Sequence, residues 1–68
     1  STAFLNPIYI ANYDNILYIC NYQSCKIRTV DLKNYTVSDY KEFEEPVYRY
    51  IRTNEREIVE LDSGVYVL

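Results

Sequence analysis

Short runs of β-branched and aromatic residues, separated by turn-forming residues, recur along the chain. Such residues suit a pleated, half-buried surface better than a helix. Six runs are separated in this way, and they cover residues 8–11, 16–22, 25–32, 47–53, 57–61 and 65–68. This pattern predicts a β-rich fold, either all-β or α+β, built from about six short strands.

Two turns define how neighbouring strands connect. Asp14 and Asn15 separate the first two runs and predict a tight hairpin turn. Gly64, the only glycine in the chain, follows Asp62 and Ser63 and can adopt a positive φ in a second hairpin. Short connections of this kind favour mostly antiparallel strands in a meander or a small barrel.

Two irregularities interrupt the strand pattern. The alternation of apolar and polar residues slips between Thr29 and Val30, which predicts a β-bulge there. Val37, Tyr40 and Phe43 recur every three residues, and Pro46 follows them. This spacing predicts one short helix near residues 38–45, which would have to pack against the sheet to be stable.

The length of 68 residues predicts a single small domain over residues 1–68, with residues 1–3 as a flexible tail. A domain of this size buries only roughly 60% of the surface that its unfolded chain exposes, so a partner or a second copy is a common source of extra stability. No apolar run reaches the roughly 20 residues that span a bilayer. Because no secretory-type start is present either, we expect a cytoplasmic protein.

The residue types that are missing restrict the chemistry. The chain has no histidine, which is the commonest general base at neutral pH, and its single glycine cannot form a phosphate-binding loop. We therefore expect no enzyme, no cofactor and no metal site. Cys20 and Cys25 are the only thiols. Two buried free thiols are our first interpretation, a disulfide is the second, and a zinc site lacks ligands.

Tyrosine is in large excess, with nine tyrosines against two phenylalanines. A buried tyrosine needs a hydrogen-bond partner for its hydroxyl, so a thin domain should leave several of them half exposed. The stretch Pro46–Arg52, read PVYRYIR, holds two of them. On a regular strand Tyr48, Tyr50 and Arg52 would share the outward face, while Val47 and Ile51 would face the core.

Charge is distributed unevenly along the chain, whose net charge is −3. Up to Thr36, three basic residues accompany two acidic ones; from Val37 onward, four basic residues accompany eight acidic ones. The acidic half would repel a polyanion and attract a basic partner. It also leaves open the possibility that the surface imitates the charge of a nucleic acid.

Three interpretations of the tyrosine excess compete. The rings could be amphipathic rim residues, they could form a protein-contact patch, or they could stack nucleic-acid bases. We predict a non-enzymatic protein-interaction module, of the kind typical of viral or mobile-element inhibitors that block a host protein. The alternatives are a single-stranded nucleic-acid-binding sheet, which the acidic balance disfavours, and a small structural homodimer. The candidate partner-binding residues are Tyr48, Arg49, Tyr50, Arg52, Glu42, Glu44, Glu45, Glu55 and Glu57.

Overall fold

Seven antiparallel strands form the protein in a computed structural model that describes residues 9–68. The β-rich fold class is therefore confirmed, in its all-β form. The strands are β1 Tyr9–Tyr13, β2 Ile16–Cys20, β3 Lys26–Asp31, β4 Val37–Glu42, β5 Val47–Arg52, β6 Glu57–Leu61 and β7 Gly64–Val67. The predicted tail at residues 1–3 and the start of the first predicted strand at Ile8 lie outside the described residues.

The strands follow one another in space in the order of the sequence. Strands β1 to β4 make one sheet and β5 to β7 make a second, with every pairing antiparallel. Within residues 9–68 the two sheets do not close into a barrel, so the predicted meander is the correct alternative. Strand β5 packs on β1, β2 and β3, which places the core between the two sheets.

Both predicted hairpin turns are present. Asp14 and Asn15 have φ angles of 52° and 61° between β1 and β2, a conformation that these two residue types tolerate better than most. Gly64 has a φ of 154° after the turn that joins β6 to β7. Because residues with a side chain rarely adopt that φ angle, glycine at this position allows the tight turn to form.

The predicted helix near residues 38–45 is wrong, because β4 occupies most of this stretch. Val37 pairs with Val30 of β3, whereas Tyr40 and Lys41 both reach towards Glu57 of the other sheet. Val37 and Tyr40, whose three-residue spacing resembled a helical period, therefore lie in different surroundings. Two isolated helical turns have little stability of their own, and the ladder with β3 replaces them.

The predicted bulge between Thr29 and Val30 is also misplaced. The register of β3 against β4 shifts at Ile27 and Arg28 instead, and Tyr40 is the extra residue on the opposite strand. A bulge lets two successive residues point to similar sides, which is how Tyr40 can turn towards the core from a strand with charged neighbours.

A second bulge reverses part of the predicted facing of β5. The register shifts between Val47 and Arg49, and Tyr48 is the extra residue. Val47 is buried as predicted, but Tyr50 is fully buried as well and Ile51 is 42% exposed. The predicted outward position of Tyr50 and inward position of Ile51 are therefore wrong, because the extra residue shifts the alternation by one position.

The core between the sheets is small and rich in tyrosine. Its buried members are Tyr18, Cys20, Ile27, Val47, Tyr50 and Val59. Half-buried apolar side chains from both sheets, including Tyr40 and Phe43, pack around them. The described residues contain no helix with the length and apolar character needed to cross a membrane.

Candidate functional site

The nine candidate partner-binding residues do not form one patch. Glu42, Glu44, Arg49 and Glu55 are exposed, Glu45, Tyr48, Arg52 and Glu57 are half-buried, and Tyr50 is buried. Three of the nine join a cluster between the two sheets, and the others lie on separate surfaces. Because Tyr50 is covered by its own chain, it is not part of an exposed contact surface.

Glu57 is the centre of the cluster between the sheets. Its Oε1 accepts hydrogen bonds from the hydroxyl of Tyr50, at 2.6 Å, and from the hydroxyl of Tyr40 in the other sheet. Arg52 Nη1 lies 3.6 Å from the same oxygen, and Lys41 Nζ lies 3.8 Å from Oε2. One carboxylate therefore binds groups from both sheets.

Arg52 completes this cluster from β5. Its Nη1 lies 3.4 Å from the hydroxyls of Tyr18 and Tyr40 and 3.5 Å from that of Tyr50, and the guanidinium lies over the ring of Tyr13 at 5.2 Å. The rings of Tyr18 and Tyr50 lie 4.8 Å apart, and Tyr40 meets Tyr18 edge-on at 5.3 Å. The hydroxyls of the core tyrosines thus have polar partners inside the protein.

The electrostatic environment of the cluster determines which of its groups are protonated. Burial, followed by the hydrogen bond to Glu57, raises the pKa of Tyr50 well above its usual range, and the same two causes raise the pKa of Tyr40. Burial acts to raise the pKa of Glu57, but the two tyrosine hydrogen bonds and the charges of Lys41 and Arg52 outweigh it and lower that pKa. At neutral pH Tyr40 and Tyr50 are therefore protonated phenols and Glu57 is an ionised carboxylate. These protonation states suit a structural contact between the two sheets.

Tyr48 is a half-buried member of the predicted patch. Its hydroxyl donates a 2.9 Å hydrogen bond to Asp62, and its ring stacks on Tyr22 with centroids 6.5 Å apart. The hydrogen bond and the charge of Asp62 raise the pKa of Tyr48. Tyr48 is thus held by its own chain at both its ring and its hydroxyl.

The outer face of the second sheet is a surface that the sequence pattern did not predict. Its outward-facing side chains form two rows across the three strands: Ile51, Ile58 and Val67 in one row, and Arg49, Glu60 and Val65 in the other. Ile51 is 42% exposed, and Val65 and Val67 are each 65% exposed. The only charges in these rows pair with each other, since Arg49 Nε lies 3.1 Å from Glu60 Oε1. A shallow groove runs between the rows.

Strand β7 is the exposed edge of this sheet. It pairs with β6 on one side, and among the described residues no strand lies on its other side. Val65, Tyr66, Val67 and the following Leu68 are all exposed. The sequence does carry a signal for this edge: four apolar residues without alternation, directly after a hairpin turn, have no polar face to turn to solvent.

The inner side of β7 borders a second groove. Phe43, Leu61, Tyr66 and Leu68 line it, together with Glu44 and Glu45. Glu45 is held in place because its carboxylate accepts 2.7 Å hydrogen bonds from the backbone and the hydroxyl of Ser63.

The two cysteines are free thiols. Cys20 is fully buried, and burial raises its pKa to about 12, whereas Cys25 is half-buried. Among residues 9–68 no three metal-binding side chains of the His, Cys, Asp or Glu type come together.

Comparison with known proteins adds no relative. No protein-family model matches the chain, and no curated protein or solved structure is significantly similar to it.

Proposed function

We propose that the chain is a non-enzymatic protein-interaction module whose contact surface is the outer face of β5, β6 and β7. The observation that carries this proposal is the exposure of Ile51, Val65 and Val67 side by side on one face. An apolar surface of this kind is costly to leave in water, and contiguous apolar patches commonly mark interaction sites.

Charge around the face narrows the class of partner. The Arg49–Glu60 pair neutralises itself within the face, while Glu42, Glu44 and Glu55 are exposed elsewhere in the acidic half. A partner with an apolar centre and basic surroundings fits this distribution best. Such a module acts by occupying a surface of its partner, as viral or mobile-element inhibitors of cytoplasmic host proteins do.

A matched pair of charge substitutions tests the contact surface. Ile51→Lys places a charge in the centre of the outer face, and Ile10→Lys places the same charge on β1 of the other sheet, where Ile10 is 53% exposed. Proteins retained from a cell extract by the immobilised wild type should also be retained by Ile10→Lys and lost with Ile51→Lys. The identified partner is then titrated against all three purified chains by calorimetry. Equal affinity for wild type and Ile51→Lys would reject the proposed surface.

The nucleic-acid alternative needs exposed ring faces, and the structure offers few. Tyr22 and Tyr48 stack on each other, and Tyr48 bonds an acidic residue. We therefore expect no binding of a single-stranded oligonucleotide at low salt in an anisotropy titration. Binding that weakens steeply with added salt would favour the alternative instead.

A further inference from the structure

We propose that the free edge of β7 pairs with β7 of a second copy, antiparallel, about a two-fold axis at Tyr66. This inference goes beyond the proposed function, because self-pairing uses the backbone edge of the sheet whereas partner binding uses the side chains of its outer face. The result would be one continuous sheet of six strands, with the outer faces of the two copies side by side.

The backbone groups of β7 point alternately towards β6 and towards the free edge. In an antiparallel ladder, residues alternate between those that bond the neighbouring strand and those that point away from it. Leu68 N donates a 2.8 Å hydrogen bond to the carbonyl oxygen of Glu57 in β6. By alternation, Gly64 and Tyr66 also face β6, so the N–H and C=O groups of Val65 and Val67 point to the free edge.

The free backbone groups of β7 lie symmetrically on either side of Tyr66. Val65 and Val67 flank Tyr66, so a two-fold axis at Tyr66 places Val65 of each copy opposite Val67 of the other. Each such pair exchanges two backbone hydrogen bonds, which makes four between the copies. Self-pairing of this kind needs a surface that complements itself, and an axis at Tyr66 is the register that uses all four free groups of Val65 and Val67.

The side chains of β7 are compatible with a second β7 strand beside them. No residue of β7 is charged, so pairing it with itself brings no like charges together. The exposed edge at β4, in contrast, carries Asp39, Lys41 and Glu42. The register also places Leu68 of each copy opposite Gly64 of the other, where no side chain competes for space.

Tyr66 itself would stand at the axis, and its orientation favours the pairing. Its hydroxyl lies 2.6 Å from Ser63 Oγ, so the ring leans along β7 towards its own turn. Two such rings related by the axis lean in opposite directions and leave the axis open. The inner groove beside Phe43 and Leu61 then lies next to Leu68 of the second copy.

The strength of such a dimer is limited by its size. A standard interface buries roughly 800 Å² on each partner, and the whole chain has 4765 Å² of accessible surface. A four-residue edge with its flanking side chains covers less than that, so the dimer should dissociate on dilution. We expect a sedimentation-equilibrium mass that rises from one chain to two between about 1 μM and about 1 mM.

A cysteine placed at the axis tests the register. In a Cys25→Ser background, Tyr66→Cys puts two thiols opposite each other with Cα atoms about 4.5 Å apart, within the range for a disulfide. Val67→Cys is the matched control, because its two copies would lie about 8 Å apart. Cys20 is fully buried and does not compete. After mild oxidation, Tyr66→Cys should give at least about tenfold more linked dimer than Val67→Cys.

A second variant tests the edge without a new thiol. Val67→Pro removes an N–H that points to the free edge and leaves the bonds of Tyr66 and Leu68 to β6 in place. It should remain monomeric where the wild type dimerises. A wild type that is monomeric throughout the concentration range, equal linking of both cysteine variants, or a dimer that persists in Val67→Pro would each overturn the proposal. Dimerisation retained by Ile51→Lys with loss of the captured partner would separate this edge from the proposed contact face.

Discussion

Tyr50 on β5 donates a 2.6 Å hydrogen bond to Glu57 on β6, and the same carboxylate oxygen accepts the hydroxyl of Tyr40 from the other sheet. The bond joins a fully buried ring to a half-buried charge. Since the two sheets share no strand pairing within residues 9–68, polar bonds of this kind make an interface that otherwise depends on apolar packing more specific in its geometry.

Removing the Glu57 carboxylate should therefore weaken the contact between the sheets. Glu57→Ala leaves the hydroxyl of Tyr50 without its acceptor and Arg52 without its nearest counter-charge. We expect the free energy of unfolding to fall by about 2–4 kcal/mol in urea titrations. Tyr50→Phe, which removes one hydrogen bond and keeps the ring, should cost about 1 kcal/mol.

Glu55→Ala is the control for this prediction. Glu55 is exposed and lies two residues before Glu57, so its loss should change the free energy of unfolding by less than about 0.5 kcal/mol. If Glu57→Ala behaves like Glu55→Ala, the hydrogen bonds to Glu57 do not contribute to stability.

Acid should release the same connection. The pKa of Glu57 is lowered in the folded protein, by its tyrosine hydrogen bonds and by Lys41 and Arg52 acting against burial. Its contribution is therefore complete above the unfolded value of about 4.3 and is lost as the pH falls through the lower, folded value. Between about pH 5 and about pH 2 the unfolding free energy of Glu57→Gln should fall less than that of the wild type. Parallel pH profiles for the two chains would contradict this.

The sequence predicts this fold well where local rules act alone. The β-branched and aromatic runs placed strands at β2, β3, β5, β6 and β7, and Asp14-Asn15 and Gly64 marked both hairpin turns. These signals depend on the residue and its neighbours, so a single sequence contains them.

The errors in the prediction share one cause. Each bulge adds a residue whose place is decided by the opposite strand, and both occur where apolar residues lie three apart: Val37 and Tyr40 in β4, and Val47 and Tyr50 in β5. In β4 that spacing resembled a helical period. In β5 the prediction continued the regular strand alternation through Tyr48, which is the extra residue of the bulge. The position of Tyr50 inside the core, and with it the loss of a Tyr48–Tyr50 surface patch, could not be read from neighbours in the chain alone.

The excess of tyrosine has a physical explanation that the sequence did not reveal. Three tyrosines from three strands turn their hydroxyls towards Glu57 and Arg52, so the core can bury phenols because it also holds a charged pair. The expectation that a thin domain leaves several tyrosines half exposed is confirmed, because only Tyr18 and Tyr50 of the nine are buried. Tyr22, Tyr35 and Tyr66 do remain exposed.

Base should destabilise the protein through Cys20 before the tyrosines ionise. Burial raises the pKa of Cys20 to about 12, whereas a thiol in the unfolded chain ionises near about 8.5. Above that pH the unfolded state loses a proton that the folded state keeps, so stability falls by up to about 1.4 kcal/mol per pH unit. Cys20→Ala should make this slope clearly shallower between about pH 8.5 and about pH 9.5, before most tyrosines of the unfolded chain ionise near about pH 10, and Cys25→Ala should retain it. Urea unfolding of the three chains at each pH measures the difference, and an unchanged slope in Cys20→Ala would contradict it.

Deletion of Tyr48, the extra residue of the bulge in β5, should be tolerated. Val47 and Arg49 have consecutive partners in β6, so deletion of Tyr48 would restore a regular ladder while Val47 and Tyr50 stay buried. The deletion loses the contacts of Tyr48 with Asp62 and Tyr22. We expect a folded protein whose thermal midpoint falls by no more than about 5 °C.

Deletion of Ile51 is the matched control, because it removes one residue from the same strand after the bulge. It moves Arg52 to the opposite face and so takes its guanidinium away from Tyr18, Tyr40 and Glu57. This chain should lose more than about 10 °C or fail to fold. Circular dichroism melts of the two deletions decide the matter: equal losses would mean that Tyr48 is an ordinary strand residue and that the facing of β5 has another cause.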